Sequence, residues 1–382
     1  MSNTTTQNAA LPDIKLPPDL LPADGRFGSG PSKVRTEALT ALAAIAPRYL
    51  GTSHRQAGVK LMVEKVRAGL TDLFSLPDGY EVALGNGGAA FFWDAAVFGL
   101  IDRRSQHLSF GAFSASFAGI VDAAPHLNGP EIIEAPFGTR PEPRPGPAVD
   151  TYAFTHNETS TGVAMEILRP EQANPTALVV VDATSAAGGL PVDPTQFDAY
   201  YFAPQKCFGS DGGLWLALLS PAAAERIERL AEGRWIPNAL SLSVALAQSR
   251  LNQTYNTPAL ATLFLLANQL EWLNQHGGLE WAVSRSQASA TVVYEWAEAS
   301  SYARPFVADP ADRSTVVATV DLADQIDGKL VCKVLRANGI VDTEPYRALG
   351  RNQLRIAFYP NVDPEDVAVL TRAVDHVVAA LS

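Results

Sequence analysis

The stretch YFAPQKCFGSDGG, Tyr201 to Gly213, sets one lysine, Lys206, between an apolar run and a glycine-rich turn. Asp182 closes another apolar run, ALVVVD, 24 residues earlier. That interval is enough chain for a turn, a short crossover and a neighbouring strand, so the two side chains can meet at adjacent strand ends. In an open α/β sheet, such ends face the ligand crevice. A lysine amine there can bond an aldehyde carbon when its surroundings favour the neutral form. A fixed carboxylate can pair with a protonated ring nitrogen and strengthen an aromatic cofactor as an electron sink. Either residue alone is more often ordinary, a strand-end cap or a solvated charge, so the combination carries the inference. Gly209, Gly212 and Gly213 give the lysine turn a flexible exit.

A second stretch, LGNGGAAFF, runs from a short apolar strand through Gly85, Gly87 and Gly88 into a helix start. Exposed backbone N–H groups in that setting can hold phosphate oxygens without a basic side chain. The dinucleotide pattern GxGxxG is incomplete, because Ala90 stands where its last glycine belongs; taken alone the segment is more often a plain tight turn, and of the two binding readings a phosphate anchor is favoured over a NAD site. Phe113 can wall a flat cofactor, and Thr159 and Ser185 offer hydroxyl donors.

These residues need a scaffold, and its outline is legible. YEVALGNGGAAFFWDAAVFG and QHLSF with GAFSASFAGIVDAA repeat a strand-to-helix change. TYAFTHNETSTG, TALVVVDATSAAGG, FDAYYFAPQK and GGLWLALLS then supply further strands. The alternation predicts a layered α/β domain around a largely buried sheet. Ser32 is placed to cap a helix over KVRTEALTALAAIA, and PRYLGTSHRQAG, carrying His54 and Arg55, separates it from a second helix over 58–76. Two long helices, Pro258 to Gln275 and Leu279 to Ala297, are broken by HGG, and a β-α-β-α tail follows. We therefore expect an N-terminal arm over 1–24 that packs beside a large domain over 25–295, and a smaller C-terminal α+β domain over 296–382.

The 47% of hydrophobic and 18% of charged residues argue for a globular chain. A net charge of −11 argues against a broad nucleic-acid footprint, though a few local cations can still bind a small anion. No apolar run reaches the roughly 20 residues of a membrane span, and the start has no signal-peptide pattern. Cys207 and Cys332 lie 125 positions apart outside any CxxC pair, which favours a reducing compartment, the cytoplasm. No metal site is expected.

HNETSTG, VVDATSAAGG, APQKCFGSDGG and QTYNTP, in that order, make the chain resemble the phosphoserine aminotransferase branch, actinobacterial in type, of the class V pyridoxal-phosphate-dependent aminotransferases. The likeness runs from GRFGSGPSKVR through NQLRIAFYPNVDPEDV. It implies fold type I, with a large, mainly parallel-sheet domain, a small C-terminal domain, and a homodimer with active sites at the subunit interface. It implies Lys206 as the Schiff-base lysine, Asp182 on the pyridine nitrogen, Thr159 on the ring oxygen and Phe113 stacked on the ring where relatives commonly have tryptophan. Gly88, Ala89 and Ala90, without the arginine many relatives carry there, match the phosphate turn, and Gln205 contacts the same phosphate. Asn256 and Thr257 match the segment that reaches the partner's cofactor phosphate.

On the substrate side, the resemblance implies His54 and Arg55 for the acidic ends, Arg355 for the α-carboxylate and Arg347 for the substrate phosphate. Tyr346 stands where relatives have histidine; it can donate a hydrogen bond but stays uncharged near neutral pH. The implied reaction joins L-glutamate and 3-phosphohydroxypyruvate to O-phospho-L-serine and 2-oxoglutarate in serine biosynthesis, with pyridoxine biosynthesis a related role. The competing readings are another class V enzyme, a different aminotransferase or a cysteine desulfurase, and a dinucleotide-binding oxidoreductase.

Overall fold

The computed structural model describes residues 11–171 and 174–381. Helices α1 (Thr36–Tyr49) and α2 (Ala57–Leu73) come first, and α2 buries Val59, Val63, Val66, Leu70 and Leu73 along one face at helical spacing. The chain then alternates through β1 (Glu81–Asn86), α3 (Ala89–Gly99), β2 (Ser105–Ser109), α4 (Ala112–Asp122) and β3 (Glu131–Glu134). β4 (Thr151–Thr155) leads into a two-stranded hairpin, β5 (Asn157–Glu158) with β6 (Val163–Ala164), before β7 (Leu178–Asp182), β8 (Ala199–Phe202) and β9 (Leu214–Leu219).

Seven of these strands form one sheet in the order β1-β9-β8-β7-β4-β2-β3. β9 runs against its two neighbours, while β8, β7, β4, β2 and β3 pair in parallel. β2, β4, β7, β8 and β9 are buried at every residue; β7, β8 and β9 accordingly read as near-continuous apolar runs rather than alternating ones, whereas β2, SQHLS, is buried but mostly polar. Helices α5 (Pro221–Gly233), α6 (Leu242–Arg250), α7 (Leu260–Gln275) and α8 (Gly278–Ala299) follow. One face of the sheet packs against α2 and α7 through Val63, Leu70, Leu263 and Leu266. The other packs against α3 to α6 through Phe92, Phe117, Ile227 and Leu246.

The tail builds an antiparallel sheet, β10 (Ala303–Pro305), β11 (Val317–Leu322) and, after α9 (Gly328–Ala337), β12 (Gln353–Ala357), closed by α10 (Pro364–Leu381). Its core is separate, and α8 joins the two: Ala282 packs in the large core, whereas Ala290, Val293 and Ala297 pack in the small one. This helix runs unbroken through residue 295.

Two local expectations are corrected. The arm, of which residues 1–10 lie outside the described residues, docks on the small unit and not beside the large sheet. Leu16 enters the small core, Leu16 N donates to Asn338 Oδ1 at 3.0 Å, and Ala23 N donates to Asp366 Oδ1 at 2.7 Å. The apolar Ile14, Leu16 and Leu20 find their partners in that core. Ser32 does not cap α1; its hydroxyl donates to Lys206 O at 2.5 Å, and the helix begins at Thr36. Among the described residues, no helix is long and apolar enough to cross a membrane.

Candidate active site

Lys206 lies in the turn after β8, whose backbone is pinned by Ser32 N donating to Gln205 O at 2.8 Å. Its amine donates to Ser29 O at 2.5 Å. Gly30, at φ 134°, makes that approach possible, because a Cβ at this position would collide with the lysine amine. Burial lowers the Lys206 pKa from 10.5 to about 8, and the charge of Arg355 pushes the same way, while Asp182, Cys207 and Glu158 oppose it.

Asp182 ends β7, between β4 and β8, and is buried. Its Oδ1 accepts from Thr184 N at 2.9 Å and Thr184 Oγ1 at 2.6 Å; its Oδ2 accepts from Trp93 Nε1 at 2.9 Å. Burial raises its pKa, and the hydrogen bonds from Thr184 and Trp93, together with the nearby Tyr201 hydroxyl, act in the opposite direction. The three hydrogen bonds, two from Thr184 and one from Trp93, leave acceptor capacity on a carboxylate that can take about four.

Beside them Thr159 Oγ1 donates to Ser185 Oγ at 2.7 Å, and Asn157 Nδ2 reaches the same hydroxyl oxygen at 2.8 Å. Between Asn157 and Thr159, the fully buried Glu158 turns away, beneath the first turn of α4. It accepts from Phe113 N at 3.1 Å, Ser114 N at 2.9 Å and Ser160 Oγ at 2.7 Å. A carboxylate suits the positive end of a helix, and here it fixes the backbone that presents Phe113. Gly111 leaves room for it, since a Cβ there would collide with the Glu158 side chain.

The small unit contributes Arg355, on β12 opposite Thr319 of β11. Thr319 Oγ1 donates to Thr161 O at 2.7 Å and so ties that sheet to the Thr159 loop. The Arg355 guanidinium lies 5.4 Å from the centre of the Tyr346 ring, and that ring meets Phe113 at 5.6 Å. Burial lowers the Arg355 pKa, and its Nε is buried without a hydrogen-bond partner among the described residues. The same holds for Gln205 Oε1. Arg347 is exposed on the loop that carries Tyr346.

At the phosphate turn, Gly88 caps α3, and a Cβ added to it would meet nothing within 4 Å. Ala89 and Ala90 supply the first helical amides, which lack a carbonyl one turn back. The outer residues gather at the edge of this turn. Asn86 Nδ2 donates to Thr257 O at 2.8 Å, Thr257 Oγ1 and His54 Nδ1 are 3.0 Å apart, and Arg55 is exposed. Asn256 lines a 220 Å³ pocket with Gly87 and Tyr255.

Asp182 and Arg355 lie near enough to Lys206 for their charges to act on it, Arg355 Nη1 reaches Thr159 O at 3.5 Å, and Tyr346 links Arg355 to Phe113, while His54, Asn256 and Thr257 gather near Asn86 and Gly87. Sequence reasoning missed Trp93, Glu158, Ser29 and Gly30. Glu158 lies inside HNETSTG, but Trp93 looked like one more apolar helix residue. Cys207 and Cys332 are both buried with thiols raised by burial, the latter to about 11. Neither is the exposed, activated thiol that sulfur transfer requires.

A lysine amine near neutrality and a buried carboxylate at neighbouring strand ends, with an arginine from a second unit, define an α/β enzyme that exchanges amines with carbonyls. The chain belongs to the class V aminotransferase family, whose family model, Aminotransferase class-V, matches residues 146–370. A protein of Mycobacterium sp. (strain KMS) is 61% identical over 372 residues, covering 97% of this chain and 100% of its own length. The phosphoserine aminotransferase of Rhodococcus jostii (strain RHA1) is 58% identical over 367 residues, 96% of this chain and 98% of the relative. Among solved structures, a phosphoserine aminotransferase from Cytophaga hutchinsonii superposes with a TM-score of 0.83 at 25% identity, covering 92% of this chain and 99% of its own. The architecture is that of fold-type I aminotransferases.

Proposed function

We propose that the enzyme binds pyridoxal 5'-phosphate and reversibly transfers the amino group of L-glutamate to 3-phosphohydroxypyruvate, giving O-phospho-L-serine and 2-oxoglutarate. The proximity of Asp182 and Arg355 to Lys206, close enough for both charges to act on its amine, carries this reading. The residues fit the cofactor: the lysine is poised near neutrality, Asp182 keeps acceptor capacity, and Gln205 Oε1 is buried and unpartnered.

When bound, the cofactor supplies an aldehyde for the lysine and a ring that accepts the charge released at the substrate α-carbon. Lys206 Nζ is the covalent anchor and, once displaced, the base that takes and returns the α-proton. Asp182 keeps a proton on the ring nitrogen. Phe113 presents a flat face to the ring, and Thr159 offers a hydroxyl to its oxygen. Gly88, Ala89, Ala90 and Gln205 hold the cofactor phosphate. Arg355 grips the α-carboxylate common to both substrates, since a guanidinium can pair two N–H groups with two carboxylate oxygens.

His54, Arg55 and Arg347 recognise the acidic or phosphorylated far end. The exposure of Arg55, and of Leu50, Leu251 and Tyr255 on the same rim segments, supports a homodimer in which His54, Arg55, Asn256 and Thr257 serve the partner's site. Two free, buried cysteines suit a cytoplasmic setting.

The test is phosphoserine formation from glutamate and 3-phosphohydroxypyruvate, beside Lys206→Ala. Loss of at least about 10⁴-fold is expected for the variant, since both anchor and base disappear. If the native enzyme aminates another oxo acid but not the phosphorylated one, the substrate assignment fails.

A further inference from the structure

We infer that Trp93 is a positioning residue that holds Asp182 ionised and turned toward the cofactor's ring nitrogen; the inference rests on the pyridoxal phosphate reading above. Both contacts from Thr184 fall on Oδ1, so the Trp93 indole N–H, 2.9 Å from Oδ2, is the bond that fixes the second oxygen. It is a buried bond, and Trp93 is only 8% exposed, so water does not compete for the carboxylate there. Burial drives Asp182 toward its neutral form, and a hydrogen bond from a neutral donor favours the anion.

The indole is held in place on its other side. It stacks on Phe117 with ring centres 6.1 Å apart and planes 16° from parallel. Phe117 lies one turn along α4 from Phe113, and it also meets Tyr201, the residue paired with Asp182 across the sheet. Trp93 is thereby wedged between α3, α4 and the sheet.

Its place on α3 gives the bond a second consequence. Ala89 and Ala90 open this helix at the phosphate turn, and Trp93 follows one turn later, roughly 6 Å along the axis. One rigid helix therefore carries the amides proposed for the phosphate and the donor that aims the carboxylate at the ring nitrogen. The cofactor's two ends are set in register by a single element.

The experiment compares Trp93→Phe with the wild type in equilibrium binding of two probes to the apoprotein: pyridoxal phosphate and its 1-deaza analogue, which has carbon in place of the ring nitrogen. The same substitution is also placed on Asp182→Asn. Trp93→Phe is expected to weaken pyridoxal phosphate binding by about tenfold, the scale of one hydrogen bond to a buried charge. It should change binding of the deaza analogue, or binding by the Asp182→Asn protein, by less than about twofold.

Equal losses for both probes, an undiminished loss on the Asp182→Asn background, or no loss at all would overturn the inference and leave Trp93 a packing residue. If the phenylalanine variant fails to fold, a site-specific benzothienylalanine, isosteric with tryptophan but lacking the N–H, replaces it with the same expected and opposing results. A wild-type chain that binds no pyridoxal phosphate sinks the cofactor reading itself, and this inference with it. Wild-type binding with a probe-independent Trp93→Phe loss sinks the Trp93 role alone.

Discussion

The Arg355 guanidinium stands over the Tyr346 ring at 5.4 Å, and the same ring meets Phe113 at 5.6 Å, so one aromatic side chain links the arginine proposed to bind the α-carboxylate to the phenylalanine proposed to wall the cofactor. A cation over an aromatic face is worth about 0.5 to 2 kcal/mol, the upper end when water is excluded. Tyr346→Ala is therefore expected to raise KM for both glutamate and the oxo acid by about 5-fold to 20-fold with a smaller change in kcat, while Tyr346→Phe stays within about twofold. Steady-state kinetics decide it. A KM rise confined to the phosphorylated substrate would instead place Tyr346 at the substrate phosphate, where its hydroxyl can donate a hydrogen bond.

Lys206 gives a pH signature in the apoprotein. Its pKa falls from 10.5 to about 8 in the folded chain, so between those values the unfolded chain holds more protons. Stability must then rise with pH across that window. The lysine's unfavourable contribution is complete below about 8 and gone above 10.5. Lys206→Met should be more stable than the native apoprotein at pH 7, with the difference shrinking toward pH 10. Urea denaturation at a series of pH values measures it, and a constant difference would mean that the amine is not titrating in this range.

Glu158 carries structural stability as well as position. Its carboxylate accepts from the amides of Phe113 and Ser114 and from Ser160 Oγ, all within the buried loop around the site. Glu158→Ala strands several donors away from water and should cost about 3 kcal/mol, against about 1 kcal/mol for Glu158→Gln. Thermal or urea unfolding of the two variants checks both size and order. If the alanine variant is no less stable than the glutamine variant, the helix terminus does not depend on this acceptor.

The proposed shared-site homodimer is tested by complementation. If Arg55 serves the partner's site, mixing Lys206→Ala chains with Arg55→Ala chains creates hybrids that hold one doubly defective site and one intact site. Random reassociation then restores about a quarter of the intact sites, from two preparations that are each impaired. No gain over the separate variants would place Arg55 in the same chain's site or outside catalysis.

What could be read from the chain alone followed from local pattern. Continuous apolar runs marked strands buried on both faces, and such strands must end at a crevice, which singled out Asp182 and Lys206 and the glycine turn opening α3. The tertiary structure alone decided which distant groups meet those residues. Trp93 and Asp182 are separated by 89 positions, and the Lys206 amine reaches Ser29 across 177. No periodicity encodes such contacts, because they depend on which sheet face each helix covers and on how closely a glycine such as Gly30 lets two segments approach. The arm shows the same limit: its sequence suggested that it would pack against the fold, but only the position of the small unit decided where, burying Leu16 there and leaving Leu11 and Leu21 exposed.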